Sequence, residues 1–179
     1  MEASPKIGKE VIDSCKAGDE KAFGEVVLAY QRRVYNIAYR MLGNKEEAKD
    51  LAQEVFLSVF ESIKNLREEV KFEPWLIQIT VNHCRNRWKY LKRRKYFQSD
   101  SLDDPIETED GEIPRQVYDP SDNPETLLEK KMIQDLIQRG LLQLKEEQRE
   151  LIVLWDLQGL SYEEIAEILA RSGHRTVAL

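Results

Sequence analysis

Four polar residues recur at three- and four-residue steps near the middle of the chain: Asn82, Arg85, Lys89 and Lys92. On a helix that spacing draws them into one stripe. The stripe carries an amide, a guanidinium and two ammonium groups. Arginine and lysine neutralise phosphates and asparagine can bond to a base edge, so the chemistry is nucleic-acid binding. Arg87, Arg93, Arg94 and Lys95 extend the run to seven cations, with no acid between Glu73 and Asp100. So many like charges repel one another unless something anionic lies beside them. Just upstream, Phe72 and Trp75 could offer stacking surfaces to unpaired bases. The alternative places both aromatics in a core, and for Trp75 that is the favoured reading.

A second set, Asp50, Gln53, Glu54 and Leu57, shares one side of an earlier helix. From that helix alone a solvated polar face is the favoured reading. The sharper one is an acidic docking surface for a basic partner helix. Covalent chemistry has little to work with. The chain has only two histidines, His83 and His174, and neither a Gly-rich phosphate loop nor an HExxH motif. His83 and Cys84 are adjacent, so on a helix they point about 100° apart and make a poor metal pair. Cys84 reads as a small core residue. No catalytic residue, metal ligand or cofactor is expected.

The elements that must carry these residues are helices. From about Ile7 to Lys95 the helical period is almost continuous, and it resumes from Pro124 to about Ala170. Over Glu46–Ile63, Ala48, Leu51, Ala52, Val55, Phe56, Val59 and Ile63 form the stripe that faces a core. From Pro74 to about Arg94, Ile77, Val81, Cys84, Trp88 and Leu91 do the same, with the Asn82 stripe about a quarter turn away. Helix boundaries are signposted. Gly43-Asn44 ends one helix and caps the next, with Glu47 placed for a capping box, and Ser161-Tyr-Glu-Glu164 is a second box. Pro74 and Pro124 fit first turns, where a missing N–H costs nothing. Glu146 to Leu157, then Gln158-Gly-Leu-Ser161, then Tyr162 to Leu169 with Ile165, Ala166 and Leu169 inward, resembles the opening of a helix-turn-helix. A plain helical hairpin fits the same pattern.

Between the helical stretches, Ser99 to Asn123 holds Pro105, Pro114 and Pro120, and the ten acids from Asp100 to Glu125 are opposed only by Arg115. That composition marks a linker. The expected fold is therefore all-α: two small helical domains, 7–96 and 124–179, on an acidic flexible tether, 97–123. Composition agrees, with 179 residues, 41% apolar, 34% charged and few Gly or Pro. The net charge of −6 conceals a basic block beside an acidic one, which suggests two kinds of partner. No run approaches the roughly 20 apolar residues of a membrane span, so no membrane insertion is expected. The N-terminus lacks the apolar core of a signal peptide, and Cys15 and Cys84 have no CxxC spacing. The expected location is cytoplasmic.

Taken in order, these segments resemble the extracytoplasmic-function (ECF) sigma factors of bacterial RNA polymerase over nearly the whole chain. The resemblance rests on Gly18-Asp-Glu-Lys-Ala-Phe23 with Tyr30 and Val34-Tyr35. It continues through Asn44-Lys-Glu-Glu-Ala-Lys-Asp50-Leu-Ala-Gln53-Glu54-Val-Phe56 and Phe72-Glu-Pro-Trp75-Leu-Ile-Gln-Ile79-Thr-Val-Asn82. Leu144 to Glu150 and Gln158 to Ala166 complete it. It implies a protein that is not an enzyme, binds core RNA polymerase through the β′ and β subunits, and directs initiation at promoter DNA. Asp50, Gln53, Glu54 and Leu57 would meet the β′ coiled coil. The loop from Lys64 to Phe72, which holds Lys71, would receive a flipped base of the −10 element. Phe72, Trp75, Asn82, Arg85, Lys89 and Lys92 would lie along the same strand. The resemblance further suggests an anti-sigma partner and an acidic linker in or near the RNA channel. Ala170 to Leu179 departs from it. The family continues with a turn and a basic recognition helix, so the element that would enter the −35 major groove is expected to be absent or altered. The alternative is a one-component helix-turn-helix regulator that uses the second domain as its reader.

Overall fold

A computed structural model describes residues 7–67, 71–98, 124–157 and 159–171, although not the side chains of 95–98, 124–127, 156–157 and 171. All its regular elements are helical. The first half comprises α1 (Lys9–Lys16), α2 (Glu20–Leu42), α3 (Lys45–Ser62) with a 3₁₀ turn at Ile63–Asn65, and α4 (Phe72–Gln98). The second comprises α5 (Pro124–Gln143), α6 (Glu146–Ile152) running into a π-helical turn at Val153–Leu157, and α7 (Tyr162–Arg171). The acidic segment from Ser99 to Asn123, and Ser172 to Leu179, lie outside the described residues.

Local sequence sets the boundaries. The Asp19 side chain accepts from the N–H groups of Lys21 and Ala22 and so caps α2. Gly43 ends that helix with φ of 77°, a left-handed conformation that costs other residues roughly 1–2 kcal/mol. Its N–H donates to Tyr39 O at 2.8 Å. Asn44 Oδ1 then accepts from Glu47 N at 3.0 Å and starts α3. At α7 both halves of the box form: Glu164 N donates to Ser161 Oγ, and Ser161 N to Glu164 Oε2. Pro74 sits in the first turn of α4 and Pro124 opens α5.

The core begins where the periodicity puts it. On α3, Ala48, Leu51, Val55, Phe56, Val59 and the following Ile63 are buried, and Ala52 is half-buried. On α4, Ile77, Val81 and Cys84 are buried, while Trp88 and Leu91 are half-buried. Each fully buried aliphatic contributes about 1.5–3 kcal/mol relative to exposure. Cys15 and Cys84 are free, buried thiols.

Two expectations need correction. The helix read as continuous from Glu146 to Leu157 stops at Ile152 and widens into the π turn. On α7 the inward residues are Ile165 and Ile168 with Leu169 half-buried, whereas Ala166 is exposed. The face of α7 is decided by what it packs on, chiefly α4 and the π turn.

The second half rests against the first. Leu141, Val153, Leu154, Leu160, Ile165 and Ile168 join the same hydrophobic cluster as the cores of α2, α3 and α4. Arg149 is the polar centre of this contact and is buried. Its Nε donates to Leu141 O at 2.8 Å, Nη1 to Met41 O at 2.6 Å, and Nη2 to Leu142 O and Leu144 O at 3.1 Å each. One guanidinium thus satisfies carbonyls at the end of α5 and one at the end of α2, groups a helix cannot pair internally. Burial holds the Arg149 pKa below the usual arginine value, with the Glu146 charge opposing. Gln138 makes a second bridge: its Nε2 donates to Tyr39 O at 3.1 Å, and its Oε1 accepts from Arg40 at 3.1 Å.

Candidate nucleic-acid and docking surfaces

Because α3 buries one side completely, its other side is presented to solvent. Asp50, Gln53, Glu54 and Leu57 are all exposed, and Leu57 keeps 65% of its surface. The acidic side of α3 is tied to α4 by Arg87, which reaches Glu47 at 2.9 Å and Glu54 at 2.5 Å. Burial works hardest against the Arg87 charge. The bond to Glu54, with the charges of Glu54, Glu47 and Asp50, outweighs it and holds the pKa above the usual value. Arg87 therefore belongs to the α3–α4 contact, so one of the seven cations is already matched.

On α4 the four stripe residues have separate environments. Asn82 is half-buried and lines an open cleft of about 370 Å³ between the end of α3 and α4, together with Ser58, Glu61, Asn65, His83 and Asn86. His83 Nε2 lies 3.0 Å from Ser58 Oγ, which fixes one wall. The cleft offers amides, hydroxyls, an imidazole and the Glu61 carboxylate, donors and acceptors that suit the polar edge of a base. Asn86, one turn beyond Asn82, and Asn65 were not singled out by sequence reasoning. The four-residue step from Asn82 to Asn86 is the signal that could have found the former. Lys89 and Lys92 are exposed on the outer part of α4, with Lys92 Nζ 4.7 Å from the Trp88 ring centroid. Arg85 instead turns to the second half and forms a two-pronged ion pair with Glu150 of α6, its Nε donating to Oε2 at 2.8 Å and its Nη2 to Oε1.

Phe72 and Trp75 are half-buried at the start of α4, their rings 5.8 Å apart, and Phe72 lies 5.6 Å from Tyr30. The core thus holds part of each ring. The pair Arg33–Glu73 anchors this first turn to α2. Lys71 is exposed just before it, and residues 68–70 of the loop lie outside the described residues. The structure gathers Asn82 with the cleft and keeps Lys89 and Lys92 on the same helix. Asp50, Gln53, Glu54 and Leu57 of α3 form a separate exposed strip.

Comparison with known proteins matches residues 26–94 to Sigma-70 region 2 and residues 134–172 to Sigma-70, region 4. The chain is 33% identical over 161 residues to the ECF RNA polymerase sigma factor SigW of Bacillus subtilis (strain 168), covering 90% of this chain and 84% of that one. It is 32% identical over 159 residues to the ECF RNA polymerase sigma-E factor of Escherichia coli (strain K12), covering 89% and 81%. The fold is shared with the sigma factor RpoE from Bartonella quintana, solved in complex with the anti-sigma factor NepR. That match has a TM-score of 0.60 at 19% identity, covering 84% of each chain.

Proposed function

This chain belongs to the ECF RNA polymerase sigma factors, and on that premise we propose how its surfaces divide the work. It is an alternative sigma factor that binds core RNA polymerase and directs transcription initiation, and it is not an enzyme. The exposed strip of Asp50, Gln53, Glu54 and Leu57 on α3 is the docking surface for the β′ coiled coil. The α4 cleft around Asn82 receives an unpaired base of the −10 element, with Lys71, Phe72 and Trp75 at its approach. Lys89 and Lys92 follow the phosphates, and Arg85 joins them once released from Glu150. The domain division is 7–96 for docking and −10 reading, 97–123 as linker, and 124–179 as the helix-turn-helix unit with an altered recognition element. The protein works in the cytoplasm, where an anti-sigma factor is its regulatory partner.

The observation that carries this reading is the amide-lined cleft at Asn82 on the helix that also bears exposed Lys89 and Lys92. Recognition of single-stranded bases needs both parts, polar edges for the base and cations for its backbone. The test is reconstitution of the protein with core polymerase, followed by mapping of RNA 5′ ends. Co-elution with core and new, discrete start sites are expected. A one-component regulator would neither co-elute nor create start sites, and that outcome would refute the assignment.

A further inference from the structure

One side of α5 is committed to the first half. Gln138 and Leu141 are buried, and Gln138 bonds to the end of α2. Leu136 lies two residues before Gln138, about 200° round the helix, so its side of α5 faces away from that contact. Large aliphatics fill this far side. Leu128, Met132 and Leu136 keep 62%, 64% and 65% of their surface, and Ile133 and Ile137 keep 57% and 44%. Three- and four-residue spacing gathers them into one stripe. Single exposed leucines are ordinary on a surface, whereas a contiguous apolar stripe marks an interaction site.

The charges along the stripe indicate what fits it. Glu129, Met132, Leu136 and Arg139 follow three-, four- and three-residue steps, the seam spacing of a helix pair. All four are exposed, with the acid at one end of the seam and the base at the other. A second α5 laid antiparallel and centred on Gln134 sets Met132 beside the partner's Leu136. The same register sets Glu129 beside the partner's Arg139 at each end of the contact, while Leu128 and Ile133 flank the seam. A parallel pair would instead set Glu129 beside the partner's Glu129, and like charges across an interface are strongly disfavoured. We propose that this stripe is the interface of a homodimer, two copies of the chain joined through antiparallel α5 helices. Such a surface is self-complementary, as a two-fold interface must be. One helix face per copy is a small contact, so the dimer is weak and reversible. Pairing leaves the bond of Gln138 to α2 in place, and it is independent of what α3 and α4 bind.

The experiment is sedimentation velocity on the full chain, without polymerase or DNA. The dimer fraction should rise as protein concentration goes from about 1 to 100 μM, the range of a weak interface. Leu136→Glu should leave only monomer over that range, with the helical circular dichroism unchanged. Glu129→Arg and Arg139→Glu should each weaken dimerisation about tenfold or more, because like charges then meet at both ends of the pair. Mixed in equal amounts, these two variants should dimerise again, since each supplies the charge that the other lacks. Misfolded variants could not do so, which keeps the test decisive if Leu136→Glu folds poorly. A wild-type chain that stays monomeric throughout overturns the proposal and leaves the stripe to a different protein. A dimer that survives Leu136→Glu puts the interface elsewhere, and a mixture no tighter than either variant alone refutes the antiparallel pairing.

Discussion

Replacing Arg149 by methionine tests whether the contact between the two halves is as specific as the geometry indicates. The substitution keeps most of the volume and removes every donor. Four carbonyls lose the guanidinium, although Leu141 O keeps the Leu144 N–H, and they are not equivalent. The bonds to Leu141 O and Met41 O are buried, whereas those to Leu142 O and Leu144 O are partly open, so water can replace them. A hydrogen bond to a charged group contributes about 1.5–3 kcal/mol, which gives about 3–6 kcal/mol for the two buried bonds. Relief of the cost of burying the charge, the same cost that lowers the Arg149 pKa, offsets part of that. The expected loss is about 2–4 kcal/mol, a large share of the roughly 5–15 kcal/mol that domains possess. Urea unfolding should be followed by circular dichroism and by the fluorescence of Trp155, which lies in the π turn just after α6, isolated by difference from a Trp155→Phe protein because Trp75 and Trp88 lie on α4. The fluorescence transition should move to lower urea more than the helical signal does. A shift worth less than about 1 kcal/mol would mean that the carbonyls are already satisfied by water, and the account of Arg149 would fail.

Other consequences are simpler to state. Asp50→Lys combined with Leu57→Glu should abolish retention by core polymerase in co-elution while changing stability by no more than about 0.5 kcal/mol per site, because both positions are exposed; wild-type retention would remove α3 as the docking helix. Lys89→Ala and Lys92→Ala should each flatten the log–log salt dependence of −10 strand binding by holoenzyme by about 0.7, and identical slopes would return them to a solvated surface. Burial, then the negative charge of Glu150, push the Cys84 thiol up, and burial, then Asp19 and Glu25, do the same to Cys15. A raised pKa leaves less thiolate at a given pH, so iodoacetamide at mildly alkaline pH should label the native protein far more slowly than the urea-unfolded one. Rapid labelling of both thiols in the native protein would contradict the packing of α1 and α4.

Much of this was legible in the sequence because helices announce themselves locally. The α3 stripe needed only the 3.6-residue period, and every residue assigned to its core is at least half-buried. Ser161 forms both bonds of the box that its spacing to Glu164 implied, and Asn44 accepts the Glu47 N–H, the capping half of its own. What the sequence concealed depends on partners far along the chain. Arg85 carries the same spacing signal as Lys89, and nothing near it says that Glu150 fills its guanidinium. Arg149 reads as an ordinary helix cation until the ends of α2 and α5 are brought beside it. The Ala166 error has the same origin, since periodicity fixes which residues share a face but not which of two neighbouring faces meets α4. The π turn leaves no mark in the sequence pattern, yet it determines where Trp155 emerges, stacked 6.2 Å from Tyr162.

The long span between Arg149 and Met41 also bears on how the protein is made. Met41 O accepts from a residue 108 positions later, and Tyr39 O accepts from Gln138, 99 positions later. At synthesis rates of about 5–20 residues per second, the ribosome needs on the order of ten seconds to add that stretch. During that interval the core of α2, α3 and α4 can form from residues already outside the exit tunnel. The Met41 carbonyl meanwhile keeps to water, whereas Tyr39 O already has the Gly43 N–H. Folding therefore has a built-in order: α3 is shaped first, and the end of α2 is completed only by residues that emerge near the close of translation.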